Sequence, residues 1–316
     1  MKSTGRFSKE LKKLRANCYD ECKSCGARLP RDIAAYAGYD EDGMPLYVGN
    51  CCLEKVTELA SHIYWWWKAD KRVAPDEKLW RYVDFAKFLQ MLETRSLFFP
   101  RADKFEDAFE GASGIAERQH EWDRHYLDFF RNAVRFPPEN AQSPPEEVVE
   151  REANRLLNDI KKGIEVERRT TFVSCWHSNT GESEALWKLY CPNGSPGVVI
   201  QTSADRLFDA LDSPDIELGR VQYVDFRMTF AGFHDRIFWK RKSLAHEAEV
   251  RAVSKIREAQ DISGLSHSVD IEKLCELVIP SPFAAAWFPS LVEALVTRYG
   301  YQIPIGRSEL LGEPFF

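Results

Sequence analysis

Two glutamates separated by one alanine are the first candidates for chemistry in this sequence. Glu247 and Glu249 belong to the run 246–253, whose second half is typical of a β-strand. A strand would project both carboxylates onto one face. In a cleft such a pair does acid/base chemistry or stabilises a cation, because like charges a few ångströms apart raise one pKa. Arg251 would share that face, so a structural ion pair with either glutamate is the alternative.

Cysteine spacing near the N-terminus indicates a metal site. Of the eight cysteines, five lie in the first 52 residues. Cys22 and Cys25 have the spacing that lets two thiolates from one turn reach a single ion, and Cys51 and Cys52 offer a second pair. A segment this short and polar needs a cross-link, such as a bound metal ion, to fold. This favours structural zinc over free thiols or a redox disulfide. The alternatives to Cys52 as fourth ligand are Cys18 and His62.

Composition sets ordinary bounds. A chain of 316 residues with 44% hydrophobic and 29% charged residues is typical of a soluble globular protein with one larger domain and a smaller appendage. The formal net charge of −6 argues against affinity of the whole protein for nucleic acid, though not against a local basic site. The sequence shows no N-terminal apolar segment and no apolar run of membrane length, so we expect a cytoplasmic protein without a membrane partner.

The patterning divides the chain into two parts. Residues 1–68 hold the cysteine cluster and a helix that follows it, and residues 69–78, which are charged and contain Pro75, indicate a linker. Residues 79–316 alternate strand and helix patterns. The fold class predicted is α+β, with a small N-terminal zinc module followed by a mixed α/β domain.

The larger part is predicted to open with a strand at 79–83 and a helix that Asp84 caps. Residues 116–168 indicate a helical insertion that would cover the site as a cap or lid. Its second helix is predicted to begin with a capping box of Ser143 and Glu146. Further strands are predicted near positions 96, 171, 197, 221, 250 and 277, and a long helix at 283–299.

A second carboxylate cluster lies in the segment Phe105-Glu106-Asp107-Ala108-Phe109-Glu110. A metal or acid/base site is one interpretation, and His177 would then suit hydrolytic chemistry. A solvated turn anchored by two phenylalanines is the more usual structure for such a segment. Cys175 would point away from Ser174 along a strand, which favours a core position over a nucleophile.

Six stretches of the larger part carry a resemblance to known proteins. They resemble a widespread bacterial family of unknown function whose members have similar F-x-D-x-F-E, F-x-S-C-[FW], L-W-x-x-Y and E-x-E-[VY]-R motifs. The resemblance spans residues 79 to about 310. The stretches are 79–82, 105–110, 172–176, 186–190, 197–200 and 242–251.

More distantly, the same arrangement resembles the ADP-ribosyltransferase superfamily. The resemblance implies that Arg81 on the first strand holds the NAD ribose and that Ser174 packs around the nicotinamide. It makes Glu249 the catalytic glutamate and Glu247 the acid upstream of it. The implied activity is NAD-dependent transfer of ADP-ribose to a macromolecular acceptor, nucleic acid or protein, in a toxin-like or anti-phage defence setting.

The chemistry of these residue types agrees with that role. Breaking the bond between nicotinamide and ribose develops an oxocarbenium-like cation, which a carboxylate stabilises while a second one activates the acceptor. Arg81 would bind the pyrophosphate or ribose, and Tyr82 or Trp176 would stack on nicotinamide. A non-catalytic zinc-containing module that binds nucleic acid or protein is the competing interpretation. An NAD glycohydrolase or nuclease is a third.

Overall fold

The structure is a computed structural model that describes residues 13–15, 34–39, 45–48, 73–74, 76–136, 142–211, 213, 216–232, 236–258 and 260–315. The described N-terminal strands β1 (Lys13–Arg15), β2 (Ala34–Tyr39) and β3 (Pro45–Val48) form an antiparallel sheet in that order. The zinc module therefore stays a prediction, because its candidate ligands lie outside the described residues. These ligands are Cys18, Cys22, Cys25, Cys51, Cys52 and His62.

A six-stranded sheet organises the larger part of the chain. Its strands are β4 (Lys78–Asp84), β6 (Thr171–Ser178), β7 (Gly197–Ser203), β8 (Ile216–Arg220), β11 (Glu249–Lys255) and β13 (Leu277–Pro280). Every neighbouring pair is antiparallel, and the strand order is β13-β7-β4-β6-β11-β8. Two small sheets flank it, β5 (Ser96–Pro100) with β12 (Gly264–Ser268) and β9 (Gln222–Val224) with β10 (Trp239–Arg241).

The sheet divides between its two central strands. β4 pairs with β7 along its whole length, but with β6 it pairs only at Leu79 with Ser178 and Trp80 with His177. Beyond that point β5 runs beside the other half of β6 and ends in a bridge between Arg101 and Phe172. We call the opening between β4 and β6 the fork. Because sheet pairing stops there, side chains rather than backbone bonds join the two strands.

Seven helices among the described residues cover the sheet or extend from it. Asp84 caps the first as predicted, since its carboxylate accepts a 2.8 Å hydrogen bond from Lys87 N. Their bounds are α1 (Phe85–Thr94), α2 (Gln119–Arg135), α3 (Glu146–Thr170), α4 (Glu184–Tyr190), α5 (Ala204–Leu211), α6 (Ile271–Leu274) and α7 (Phe288–Arg298).

The main hydrophobic core lies on one face of the sheet, beneath α1, α5, α6 and α7. Two smaller apolar clusters lie on the opposite face. Trp80 and Trp187 belong to one of them, and Val173 and Phe238 belong to the other. Buried polar side chains separate these two clusters, which is where the candidate site lies.

The helical insertion is present as two helices, α2 and α3, but the predicted capping box is wrong. α3 begins at Glu146 after Pro145, and no side chain caps its first turn. The hydroxyl of Ser143 instead donates to the carbonyl of Arg135 at the end of α2, at 2.9 Å. The N-cap position of α3 is taken by Pro145, so Ser143 stands outside the position from which it could cap the helix. Within the residues described, no helix is both long and apolar enough to cross a bilayer.

Candidate active site

Arg81 stands at the opening of the fork, since it is the first residue of β4 beyond the last pair with β6. Its guanidinium donates one hydrogen bond to Ser174 Oγ and a second, 3.3 Å long, to the carbonyl oxygen of Phe98. Burial lowers the pKa of Arg81, yet a guanidinium stays charged in proteins. Arg81 forms no ion pair within the part of the chain that the structure describes, so no carboxylate there balances this half-buried cation.

Ser174 holds the guanidinium of Arg81 in place through a hydrogen bond. Its hydroxyl oxygen accepts the bond from Arg81 and a 3.1 Å bond from Trp176 Nε1, and the residue is 0% exposed. The Trp176 ring lies 5.6 Å from the guanidinium carbon, within the range of a cation–π contact. Trp176 is also 0% exposed, so its ring leaves no surface on which nicotinamide could stack. The two residues therefore hold Arg81 rather than line an open cleft.

Glu249 lies on the other face of the sheet from Ser174. Glu249 pairs directly with His177 across β6 and β11, and His177 pairs with Trp80 on β4. Residues that pair directly share a face, and neighbours along a strand alternate between faces. Arg81 and Ser174 thus project toward the main core, whereas Glu249 projects into the polar gap of the opposite face. We call this opposite face the site face.

A buried ion network fixes Glu249. Arg251 Nε donates to Glu249 Oε2 at 2.8 Å, and Lys240 Nζ lies 3.3 Å from Glu249 Oε1. Burial opposes the ionisation of Glu249, but the two cations outweigh it and lower the pKa to about 2. Glu249 is therefore a carboxylate at neutral pH, with both oxygens held in place.

The sequence pattern predicts that Glu247 and Glu249 lie on one strand, and this prediction is wrong for Glu247. β11 begins at Glu249, and Glu247 ends a 3-10 helix over Lys242–Glu247. Between them Ala248 takes the left-handed backbone conformation, with φ 42°, which turns the chain before the strand starts. Both carboxylates nevertheless reach one ammonium, because Lys240 Nζ also lies 2.5 Å from Glu247 Oε2.

The segment 105–110 supplies the third carboxylate of the network. Glu110 accepts bonds of 2.5 and 2.9 Å from the two terminal nitrogens of Arg251, and both side chains are almost completely buried. The expected solvated turn is thus wrong for Glu110. Asp107, in contrast, pairs with the exposed Arg241 at 2.7 Å. Three carboxylates and two cations meet on the site face, so the network carries one unbalanced negative charge.

Aromatic rings border this network. Tyr82 is almost fully buried, and its hydroxyl accepts a hydrogen bond from Ser183 N at 2.8 Å, so it too has no free face for a ligand. Its ring stacks at 6.1 Å on that of Tyr190, which is 37% exposed. His177 meets both rings edge-on and contacts the carbonyl oxygen of Glu247 through Nδ1 at 2.7 Å. Tyr190 is therefore the accessible ring of the site.

Cys175 is not a favourable nucleophile here, and the described residues contain no cluster of metal-ligating side chains. Burial, followed by the negative charge of Glu249, raises the pKa of the Cys175 thiol well above its usual range, which disfavours a nucleophilic thiolate. Among the described residues, no group of three or more His, Cys, Asp or Glu side chains is arranged to hold a metal ion.

Comparison with known proteins finds similarity at a low level. No protein-family model and no curated protein matches the sequence. Two solved structures of DarT from Thermus sp. 2.9 are similar at a low level. The complex with carba-NAD+ is 6% identical, covers 74% of this chain and 96% of its own, and has a TM-score of 0.33. The complex with ADP-ribosylated ssDNA is 9% identical, covers 76% and 98%, and has a TM-score of 0.34. We therefore derive the function of this chain from its own side chains.

The structure brings the sequence-predicted residues together in two groups. Arg81 bonds to Ser174 at the fork, and Glu247 and Glu249 meet at Lys240 on the site face. Charges of both groups affect the pKa of Tyr190. Its partial burial raises the pKa of its phenol, Glu249 and Glu247 raise it further, and Arg81 lowers it.

The sequence analysis assigned no role at this site to Lys240 or Tyr190, and it named Glu110 only within the carboxylate cluster 105–110. Glu110 and Tyr190 belong to recognisable motifs, but a motif does not tell which strand its side chain will meet. Lys240 carries no sequence signal at all, because its role depends on how β10 lies against β11.

Proposed function

We propose that this chain binds NAD at the fork, cleaves the bond between nicotinamide and ribose, and transfers ADP-ribose to a macromolecular acceptor, nucleic acid or protein. One observation carries the proposal. An arginine without a carboxylate partner in the described chain and a carboxylate network with excess negative charge flank β6, on opposite faces of the sheet. The fork, where backbone pairing between β4 and β6 stops, is the passage through which one dinucleotide would reach both. NAD needs both, since its pyrophosphate is an anion and its ribose becomes a cation as the bond breaks.

Arg81 would bind the pyrophosphate. A guanidinium carries five N–H donors, and the described structure uses two of them, on Ser174 and Phe98. The remaining donors and the unbalanced charge suit a bidentate contact with a phosphate. Because Ser174 and Trp176 hold the guanidinium from below, it would meet the ligand with little loss of side-chain freedom.

The carboxylate network would stabilise the developing cation. The lowered pKa of Glu249, about 2, keeps the carboxylate ionised at neutral pH, so its charge is in place before the reaction starts. Tyr190, the accessible ring, would pack on the nicotinamide in place of Tyr82 or Trp176. Glu247, less buried than Glu249, would contact the acceptor.

Cleavage of NAD and transfer of ADP-ribose need no reactant besides NAD and the acceptor. The bond from ribose C1′ to the nicotinamide nitrogen breaks, and its electron pair leaves with nicotinamide, which becomes neutral. A lone pair of the acceptor forms the new bond to C1′. Glu247 takes the proton that the acceptor loses and passes it to solvent. With water as acceptor, the products are ADP-ribose, nicotinamide and a proton.

A second candidate function follows from the burial of Glu249. Its side chain is only 4% exposed, and both oxygens are held by cations, as in a structural ion pair. In that case the fork binds an anionic ligand through Arg81 without cleaving it, and the zinc-containing chain is a binding module.

Incubation with NAD labelled in the adenylate moiety separates these functions. We expect nicotinamide release, and transfer of label to one of three acceptors offered separately: single-stranded DNA, RNA and a protein extract. Binding of NAD in calorimetry without nicotinamide release would support the binding module. Absence of NAD binding would refute the transferase proposal.

A further inference from the structure

Lys240 is a buried cation to which the proposed reaction assigns no step. It lies on β10 and is only 6% exposed. Its ammonium is 2.5 Å from Glu247 and 3.3 Å from Glu249, so one group contacts both candidate catalytic carboxylates. Arg251, by comparison, binds Glu249 and Glu110 but not Glu247.

From this geometry, and resting on the proposed function, we infer that Lys240 is a positioning residue. It would hold the side chains of Glu247 and Glu249 in place, keep Glu249 ionised, and so set the lowest pH at which the site works. Without it, two carboxylates would face each other with only Arg251 to compensate Glu249. Like charges in such proximity push one carboxyl group toward its protonated form.

The pKa of Lys240 agrees with a permanent charge at this position. Burial lowers it, but Glu249 and Glu247 more than offset this, so the pKa stands above its usual value. The ammonium is therefore charged across the whole range in which the carboxylates titrate. Other titratable groups of the site are His177 and Cys175 on β6, Tyr223 on β9, Tyr190 on α4, and Glu110.

Of the groups in that set that are not carboxyls, His177 is the one that could confuse an acid titration. Burial lowers its pKa, and Lys240 lowers it further, so removal of Lys240 would raise the pKa of the imidazole as well. Cys175, Tyr190 and Tyr223 have raised pKa values and stay neutral in acid. The test must therefore distinguish carboxyl groups from the imidazole.

The test compares wild type, Lys240→Met and Lys240→Arg. Nicotinamide release from NAD is measured between pH 2 and 8, and carbon NMR follows the glutamate carboxyl and histidine imidazole signals over the same range without NAD. In Lys240→Met we expect the pH of half-maximal release on the acid side to rise by about 1–3 units. The titration midpoint of one glutamate carboxyl signal should rise with it. Lys240→Arg keeps the charge and should keep the wild-type midpoint. Lys242→Met, at an exposed position two residues away, is the matched control and should leave both profiles unchanged.

Each result decides one question. If wild type releases nicotinamide and Lys240→Met keeps its acid midpoint, or only the imidazole signal moves, the role of Lys240 is refuted and the transferase proposal stands. If wild type releases none, the transferase proposal fails, and the carboxyl titration alone decides whether Lys240 holds the two glutamates. Should Lys240→Met fail to fold, the comparison is made in the Glu247→Gln background. There the loss of Lys240 keeps the charge balance of the network, and it should again raise the pKa of Glu249.

Discussion

Arg251 and Glu110 form a two-point ion pair between residues 141 positions apart, and neither side chain has contact with solvent beyond 1% of its surface. The remaining guanidinium nitrogen binds Glu249, and one terminal nitrogen also binds the carbonyl of Ile237. Arg251 thereby joins the segment 105–110 to the strand that carries the candidate catalytic glutamate.

Glu110→Gln should destabilise the protein strongly. The substitution keeps the shape of the side chain but leaves a buried guanidinium without its main counter-charge, which typically costs about 3–5 kcal/mol. Urea unfolding followed by circular dichroism measures the change. Glu121→Gln is the matched control, because Glu121 pairs with Arg118 at the surface and its loss should cost far less. Equal effects of the two substitutions would show that the buried pair contributes no special stability.

Glu249→Gln should abolish most of the NAD cleavage. Loss of one preorganised charge at a developing cation typically lowers turnover by about 10²–10³-fold. Nicotinamide release at saturating NAD measures turnover, and calorimetry should find NAD binding nearly unchanged. Glu247→Gln should spare part of the cleavage by water while preventing transfer to the acceptor. Full activity of Glu249→Gln would assign Glu249 to the structural ion pair.

The pH dependence of stability should carry the signature of Glu249. Its pKa falls from 4.5 to about 2 on folding, so its contribution to stability is complete above pH 4.5 and disappears as the pH falls to about 2. That contribution is on the order of 3 kcal/mol. Urea unfolding between pH 7 and 3 should show a steeper acid loss in wild type than in Glu249→Gln. Parallel curves would contradict the lowered pKa.

Arg81→Ala should weaken NAD binding without lowering turnover at saturation to the same degree. A charge-assisted hydrogen bond contributes about 1.5–3 kcal/mol, equivalent to roughly 10–100-fold in the dissociation constant. Calorimetry measures the change. Arg155→Ala, on the exposed side of α3 and paired with Glu152 and Asp159, is the control and should bind NAD normally. Unchanged binding in Arg81→Ala would remove Arg81 from the site.

The zinc module predicts about one bound zinc per chain. Elemental analysis of protein purified without added metal tests it, since four thiolates bind zinc tightly enough to survive purification. Cys22→Ser should lower the zinc content and unfold the module, while the circular dichroism signal from the helices of residues 79–316 is kept. A metal-free protein with a folded N-terminal part would refute the module.

Local signals were sufficient for much of the fold. The strands at 79–83, 96–100 and 197–202, the cap at Asp84 and the two helices of the insertion all depend on residues within a few positions of one another. Short-range alternation and capping report such structure directly. The opposite orientations of Ser174 and Cys175 followed from the same alternation, and the sheet pairing agrees with them.

Local signals failed where a distant partner competes. Ser143 was expected to cap α3, but its hydroxyl bonds to Arg135, eight positions away. Glu247 was expected on the strand, but the left-handed Ala248 turns the chain there. Glu110 was expected in solvent, yet it compensates an arginine 141 positions further along the sequence.

The strands that carry Arg81, Ser174 and Glu249, and the chemistry that these residue types support, could be predicted from the amino-acid sequence. The separation of β4 from β6 after Trp80, the position of Arg81 in that opening, and the contact of Lys240 with Glu247 and Glu249 could not. Strand pairing and buried ion pairs gain their free energy from groups that the whole fold brings together. A local pattern contains no information about which distant group will arrive.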